Sequence, residues 1–276
     1  MASLFNPGLV EQFGSQRRYP GGMSGYESAA VEPHPLLVQL SALHHFRIQV
    51  DVAVIVVVLA CANLLAHFTT PWAGVVTVPV VAVGLVAWLR INGLGWTELG
   101  LGREHWRSGA LYAMGAVVLV VSVIAIGALL PWTRPMFMNH RYATISGALI
   151  ASMLIIPLQT VIPEELAFRG VLHGALNRAW GFRGVAFAGS LLFGLWHIAT
   201  SLGLTTSNVG FTRLLGGGVV GMLAGVLLAV VATAAAGFVF SWLRRRSGSL
   251  LAPIALHWSL NGAGALAAAL VWHLSS

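Results

Sequence analysis

The chain has 276 residues, 57% of them hydrophobic and only 8% charged, with a mean hydropathy of +0.83, which excludes an ordinary soluble domain. The formal charge of +7 rests entirely on arginine, and these arginines are scattered between apolar runs with no face that could track a phosphate backbone, so nucleic-acid binding is excluded as well. A single cysteine, Cys61, rules out a disulfide framework or a cysteine metal cluster within one chain.

Residues 1–46 are polar and irregular, with glycine and proline throughout, and read as a disordered cytoplasmic leader. Seven apolar runs follow, at 48–67, 71–89, 109–130, 145–177, 184–201, 216–243 and 250–272. Each is near the ~20 residues that a helix needs to cross the hydrocarbon of a bilayer. None alternates with the period of a barrel strand, so all read as helices. The expectation is an all-α, polytopic transmembrane bundle of about seven spans. Residues 47–144 form an N-terminal set and 145–276 a functional core. The run at 145–177 is too long for one straight span, and Pro157 and Pro163 can kink it.

The arginines orient this bundle through the positive-inside rule. With the N-terminus cytoplasmic, Arg17, Arg18, Arg47, Arg90, Arg103, Arg107, Arg178, Arg183 and Arg244 to Arg246 fall inside. Only Arg134, Arg141 and Arg213 fall outside, and Arg169 is left within a span. The spacing of Arg47 and Asp51 suggests an ion pair at a span end. Gly217, Gly221 and Gly225 form a small-residue stripe for close helix approach.

Beyond Glu104 the only acidic residues are Glu164 and Glu165, side by side in an apolar region. A carboxylate in hydrocarbon costs roughly 3 kcal/mol or more, so such a pair marks a functional site by default. Two further segments carry polar groups that lipid should reject: His197, four residues after Phe193, and His257 with Asn261. At ~1.5 Å per helical residue, Arg178 to Glu164, Arg183 to His197 and Arg246 to His257 span about 21, 21 and 17 Å, which places all three in one layer. Glu165 and Arg169 are spaced for a charge pair on one helix face. Glu164, turned about 100° away, is free to face a cavity.

Two chemistries suit these groups. Glu164 could deprotonate a water beside the two imidazoles as a general base. Alternatively His197, His257 and Glu164 could hold a divalent metal, zinc above all, with an open position. Asn261 would donate a hydrogen bond to the oxyanion that develops on the attacked carbonyl. His173, further along the same helix, reads as interfacial.

The ordered set Glu164-Glu165-x-x-x-Arg169, Phe193-x-x-x-His197 and His257-x-x-x-Asn261 resembles the CAAX-protease and bacteriocin-processing (CPBP or Abi) family of intramembrane endopeptidases, which includes the type II CAAX prenyl endopeptidases. The segment from Trp96 to Leu101 is similar to that family's upstream region. The resemblance implies that Glu164 activates water, that His197 and His257 are essential, that Asn261 stabilises the oxyanion, and that Glu165, Arg169 and Phe193 support them. It leaves metal dependence open. The expectation is a cell-membrane, multi-pass endopeptidase that cleaves a peptide or membrane-protein substrate near the cytoplasmic face. A non-catalytic scaffold or immunity protein of the same fold is one rival. A proton-coupled transporter, which usually shows a repeat between its halves, is another.

Overall fold

The computed structural model describes residues 35–275. The chain divides into two units, 1–42 and 43–276, and of the first only the start of a helix, residues 35–42, is described. The expected leader therefore lies mostly outside the described residues, but residues 35–46 belong to a helix. The long helices are α1 (Pro35–Phe68), α2 (Pro71–Ile91), α3 (Arg103–Leu129), α4 (Ile145–Trp196), α5 (Gly218–Ser247) and α6 (Leu251–Ser275). All six have the length and hydropathy to cross a membrane.

Local chemistry sets their ends. Thr70 caps α2 by accepting from the Ala73 N–H at 3.2 Å, with Pro71 in the first turn, and Thr144 caps α4 in the same way. The end of α5 is Gly248, at φ +71°, a left-handed conformation that glycine adopts without a steric penalty.

The expected fourth and fifth spans are the two limbs of α4, a single element of 52 residues. Its backbone leaves helical geometry at Trp180 (φ −136°, ψ 15°) and Gly181 (φ 61°, ψ −166°), and the second conformation is open essentially to glycine alone. Beyond this break the chain returns along itself. Gly189 comes back beside Leu176, Phe193 beside Phe168, and Trp196 beside Glu164.

The returning limb packs on α5. A Cβ added at Gly194 would lie 2.7 Å from the Val230 carbonyl oxygen and 2.9 Å from the Ala234 Cβ, so only glycine permits this approach. The expected stripe on α5 behaves differently. Gly217 faces open space, Gly221 meets the loop before its own helix, and Gly225 meets Leu204 and Thr205 in a short turn. The close helix contact is made lower on α5, where Gly237 lies against Phe193.

At the end of the bundle shared by Arg47, Arg178 and Arg244, the loop from 92 to 102 is held by guanidinium groups. Arg178 bonds Glu98 twice at 2.8 Å and the Gly93 carbonyl at 3.1 Å. Arg244 donates to the Thr97 and Glu98 carbonyls at 3.0 and 3.1 Å, and Arg90 donates to Leu94. Leu94 and Leu99 are thereby pinned in the core. Arg47 donates to Asn92 at 2.8 Å and makes no ion pair with Asp51, because the loop offers a partner that the helix spacing could not reveal.

Candidate active site

Glu164 and Glu165 lie in a short α-helical stretch, Ile162–Glu165, between two π-helical runs, Ala151–Val161 and Leu166–Leu172. Such widened turns recur at functional sites. The adjacent carboxylates point into different surroundings. Glu165 is fully buried, and its Oε1 accepts from Arg169 Nη1 at 3.2 Å and from His257 Nδ1 at 2.8 Å. The first contact is the helical pair that the spacing of Glu165 and Arg169 suggests. Arg169 is itself buried, with its guanidinium 3.8 Å from the ring centre of Phe193 and 4.7 Å from that of Phe240, and it reaches the Gly237 carbonyl at 3.5 Å. Ring faces and a carbonyl thus replace water around the cation.

Glu164 makes one hydrogen bond, in which Oε1 accepts from the Trp196 indole N–H at 3.0 Å. Its other oxygen, Oε2, is buried without a hydrogen-bond partner among the described residues. It lies 3.9 Å from His197 Nε2 and 4.0 Å from His257 Nε2. Both rings present this nitrogen for the same reason. His197 stands at the end of a helical stretch (φ −86°, ψ 2°) with Nδ1 2.8 Å from the Phe193 carbonyl oxygen. A carbonyl can only accept, so that hydrogen bond assigns the proton to Nδ1. The contact of His257 Nδ1 with Glu165 has the same effect, and the ring stacks on Phe240 at 5.2 Å.

The separation of Glu164 from the imidazoles falls between the spans of a shared metal ion and of a tetrahedrally bonded water. Two hydrogen bonds of about 2.8 Å meeting at one oxygen at a tetrahedral angle hold their outer atoms about 4.6 Å apart, and about 4.0 Å apart when the angle closes to about 90°. Zinc at about 2.0–2.1 Å from nitrogen and oxygen in tetrahedral geometry would bring them to about 3.3 Å. Among the described residues no group of three or more His, Cys, Asp or Glu side chains is arranged to hold a metal ion. Glu164 Oε2 thus stands wider from the Nε2 atoms of His197 and His257, at 3.9 and 4.0 Å, than ligands of one zinc ion would.

Six of the seven residues singled out in the sequence, Glu164, Glu165, Arg169, Phe193, His197 and His257, converge here. Asn261 does not join their network. It lies in the π-helical turn Ser259–Ala263, exposed, and its side chain makes no hydrogen bond among the described residues. His173, expected at the interface, is buried beside Phe182, with Nδ1 unpartnered. Trp196 was the residue missed, since a tryptophan in an apolar run reads as packing or an interfacial anchor.

Trp196 also lines an apolar cavity of ≈450 Å³ between α1 and both limbs of α4, with Leu59, Asn63, Phe168 and Leu195. Asn63 closes one side by donating to the Trp196 carbonyl at 2.8 Å.

Comparison with known proteins covers the segment that carries these residues. Residues 146–263 match the family model described as type II CAAX prenyl endopeptidase, Rce1-like. No curated relative and no solved structure matches the chain. The matched segment contains both glutamates, Arg169, both histidines and Asn261, and over it this membrane-helix protein is similar to the Rce1-like type II CAAX prenyl endopeptidase family.

Proposed function

We propose that the protein is an intramembrane endopeptidase in which Glu164 activates a water that donates one proton to its Oε2 and the other to the Nε2 atom of His197 or of His257. The observation that carries this reading is the buried Oε2, unpartnered among the described residues, facing two imidazoles at 3.9 and 4.0 Å. A buried acceptor of this kind costs about 1–3 kcal/mol if it is left unmade, and an ordered water removes that cost. The water donates to Glu164 and is oriented by the imidazoles as it attacks the scissile carbonyl. Its proton passes to Glu164 Oε2 and then to the departing amine. Glu165 holds His257 in the tautomer that this geometry needs. Asn261 is assigned the donor to the oxyanion once substrate fills the site.

The substrate is a peptide or membrane-protein segment reached from the bilayer of the cell membrane, with the N-terminus of the enzyme cytoplasmic. The family description points to prenylated peptides, and the apolar cavity beside Trp196 has room for a hydrocarbon group.

The test is cleavage of quenched peptides, prenylated and unprenylated, by the full chain in lipid nanodiscs, with and without chelator. Glu164→Gln is expected to lower kcat by about 10²–10⁴ and to leave the melt unchanged. A Glu164→Gln protein that cleaves at the wild-type rate sinks the reading and leaves the family scaffold without catalysis. Activity that chelator abolishes and zinc restores would replace the water reading with the metal one.

A further inference from the structure

Glu164 must present one particular oxygen to the imidazoles, yet among the described residues nothing on its own limb of α4 fixes which one. Its acidic neighbour is occupied by Arg169 and His257. The only hydrogen bond to the Glu164 carboxylate among the described residues comes from Trp196, on the returning limb of α4. We propose that Trp196 is a positioning residue for the reaction, its indole N–H holding Oε1 so that Oε2 faces His197 and His257.

Two contacts and burial lock the indole for that task. Phe168 meets its ring edge-on at 5.3 Å and 74°, the Asn63 amide holds its backbone carbonyl from α1, and the side chain is buried. A carboxylate bonded at one oxygen by a fixed donor loses the freedom to rotate, and such supporting bonds commonly contribute about 10–100-fold to activity. Trp196 is also a wall of the apolar cavity, so one ring borders both that space and the base. The inference rests on the reading of Glu164 as the base.

The experiment uses the full chain in nanodiscs and two replacements. One is Trp196→Phe, and the other is an isosteric tryptophan analogue carrying sulfur in place of the indole N–H, which retains shape and removes only the donor. For the analogue kcat is expected to fall about 10–100-fold with KM within about twofold and an unchanged melt. ¹⁵N spectra of the wild type, with the Trp196 indole peak identified by its loss in Trp196→Phe, should show that peak moving in Glu164→Ala. Wild-type kcat for the analogue overturns the proposal, as does a rise in KM alone, which would make the indole a substrate contact. An indole peak that ignores Glu164→Ala also overturns it. Should Glu164→Gln remain active, the underlying reading fails first, and that outcome is distinct from an active analogue beside an inactive Glu164→Gln.

Discussion

Two arginine–glutamate pairs in this protein share their chemistry and differ in setting. Glu165 and Arg169 are 3.2 Å apart with side chains 0% and 1% exposed, while Glu98 and Arg178 are 2.8 Å apart at 43% and 36%. The outer pair is the shorter, yet its ions keep part of their hydration, and exposed pairs contribute only about 0.2–1 kcal/mol. The inner pair has surrendered its water. It persists because His257, the Gly237 carbonyl and the faces of Phe193 and Phe240 replace that hydration. Attraction within a buried pair is weak evidence for stability, but removal of one member leaves the other stranded. Distance alone therefore says little about what each pair does. The inner pair sets the chemistry of its neighbours, whereas the outer one fastens a loop.

The comparison breaks most sharply at Arg169. Arg169→Ala should lower stability by about 3–5 kcal/mol, read as a loss of folded protein on denaturant titration in mixed micelles. The paired change Glu165→Gln with Arg169→Met removes both charges together and should recover most of that loss while still disturbing His257. An Arg169→Ala protein that unfolds like the wild type would mean that the aromatic cage is incidental. A smaller effect tests the packing that brings the returning limb to the pair. Gly194→Ala drives a methyl into the α5 backbone and should cost about 1–3 kcal/mol, and an unchanged melt would contradict the close approach.

The smallest effect belongs to Glu98. Partial burial pulls its carboxyl upward, but hydrogen bonds from Arg178 and the Gly95 N–H, with the guanidinium charge, outweigh it and lower its pKa. A carboxyl lowered on folding contributes stability that is complete above its unfolded pKa and is lost as pH falls through its folded one. Glu98→Gln should therefore cost about 0.2–1 kcal/mol at neutral pH, and the wild-type and variant melts should converge in acid. Curves that stay parallel through that window would show that Glu98 is not the titrating partner.

Much of the site was legible because lipid penalises polar groups. In this apolar half of the chain, Glu164, Glu165, Arg169, His197 and His257 stand out individually, and helical spacing pairs Glu165 with Arg169. The bond from Glu165 to His257 was not legible, since it joins residues on different helices and either side chain could have found another partner. Trp196 was hidden by a similar ambiguity, because an indole serves packing, interfaces and hydrogen bonding alike. The seven apolar runs correspond to real helical segments, yet the continuity of the fourth and fifth depends on Gly181, whose conformation cannot be read from composition. Asn261 was placed with His257 by spacing, and spacing does not specify whether an amide turns inward.

The loop between α2 and α3 carries one more consequence. Arg178 grips both carboxylate oxygens of Glu98 with the planar fork of its Nε and Nη2, Arg244 reaches two carbonyls from its Nη2, and the guanidinium of Arg90 lies 4.3 Å over the Trp96 ring while it reaches Leu94. A compact ammonium has no such fork to offer. The absence of lysine from this chain therefore has a mechanical side at this corner, where the positive residues act as rivets as well as markers of orientation.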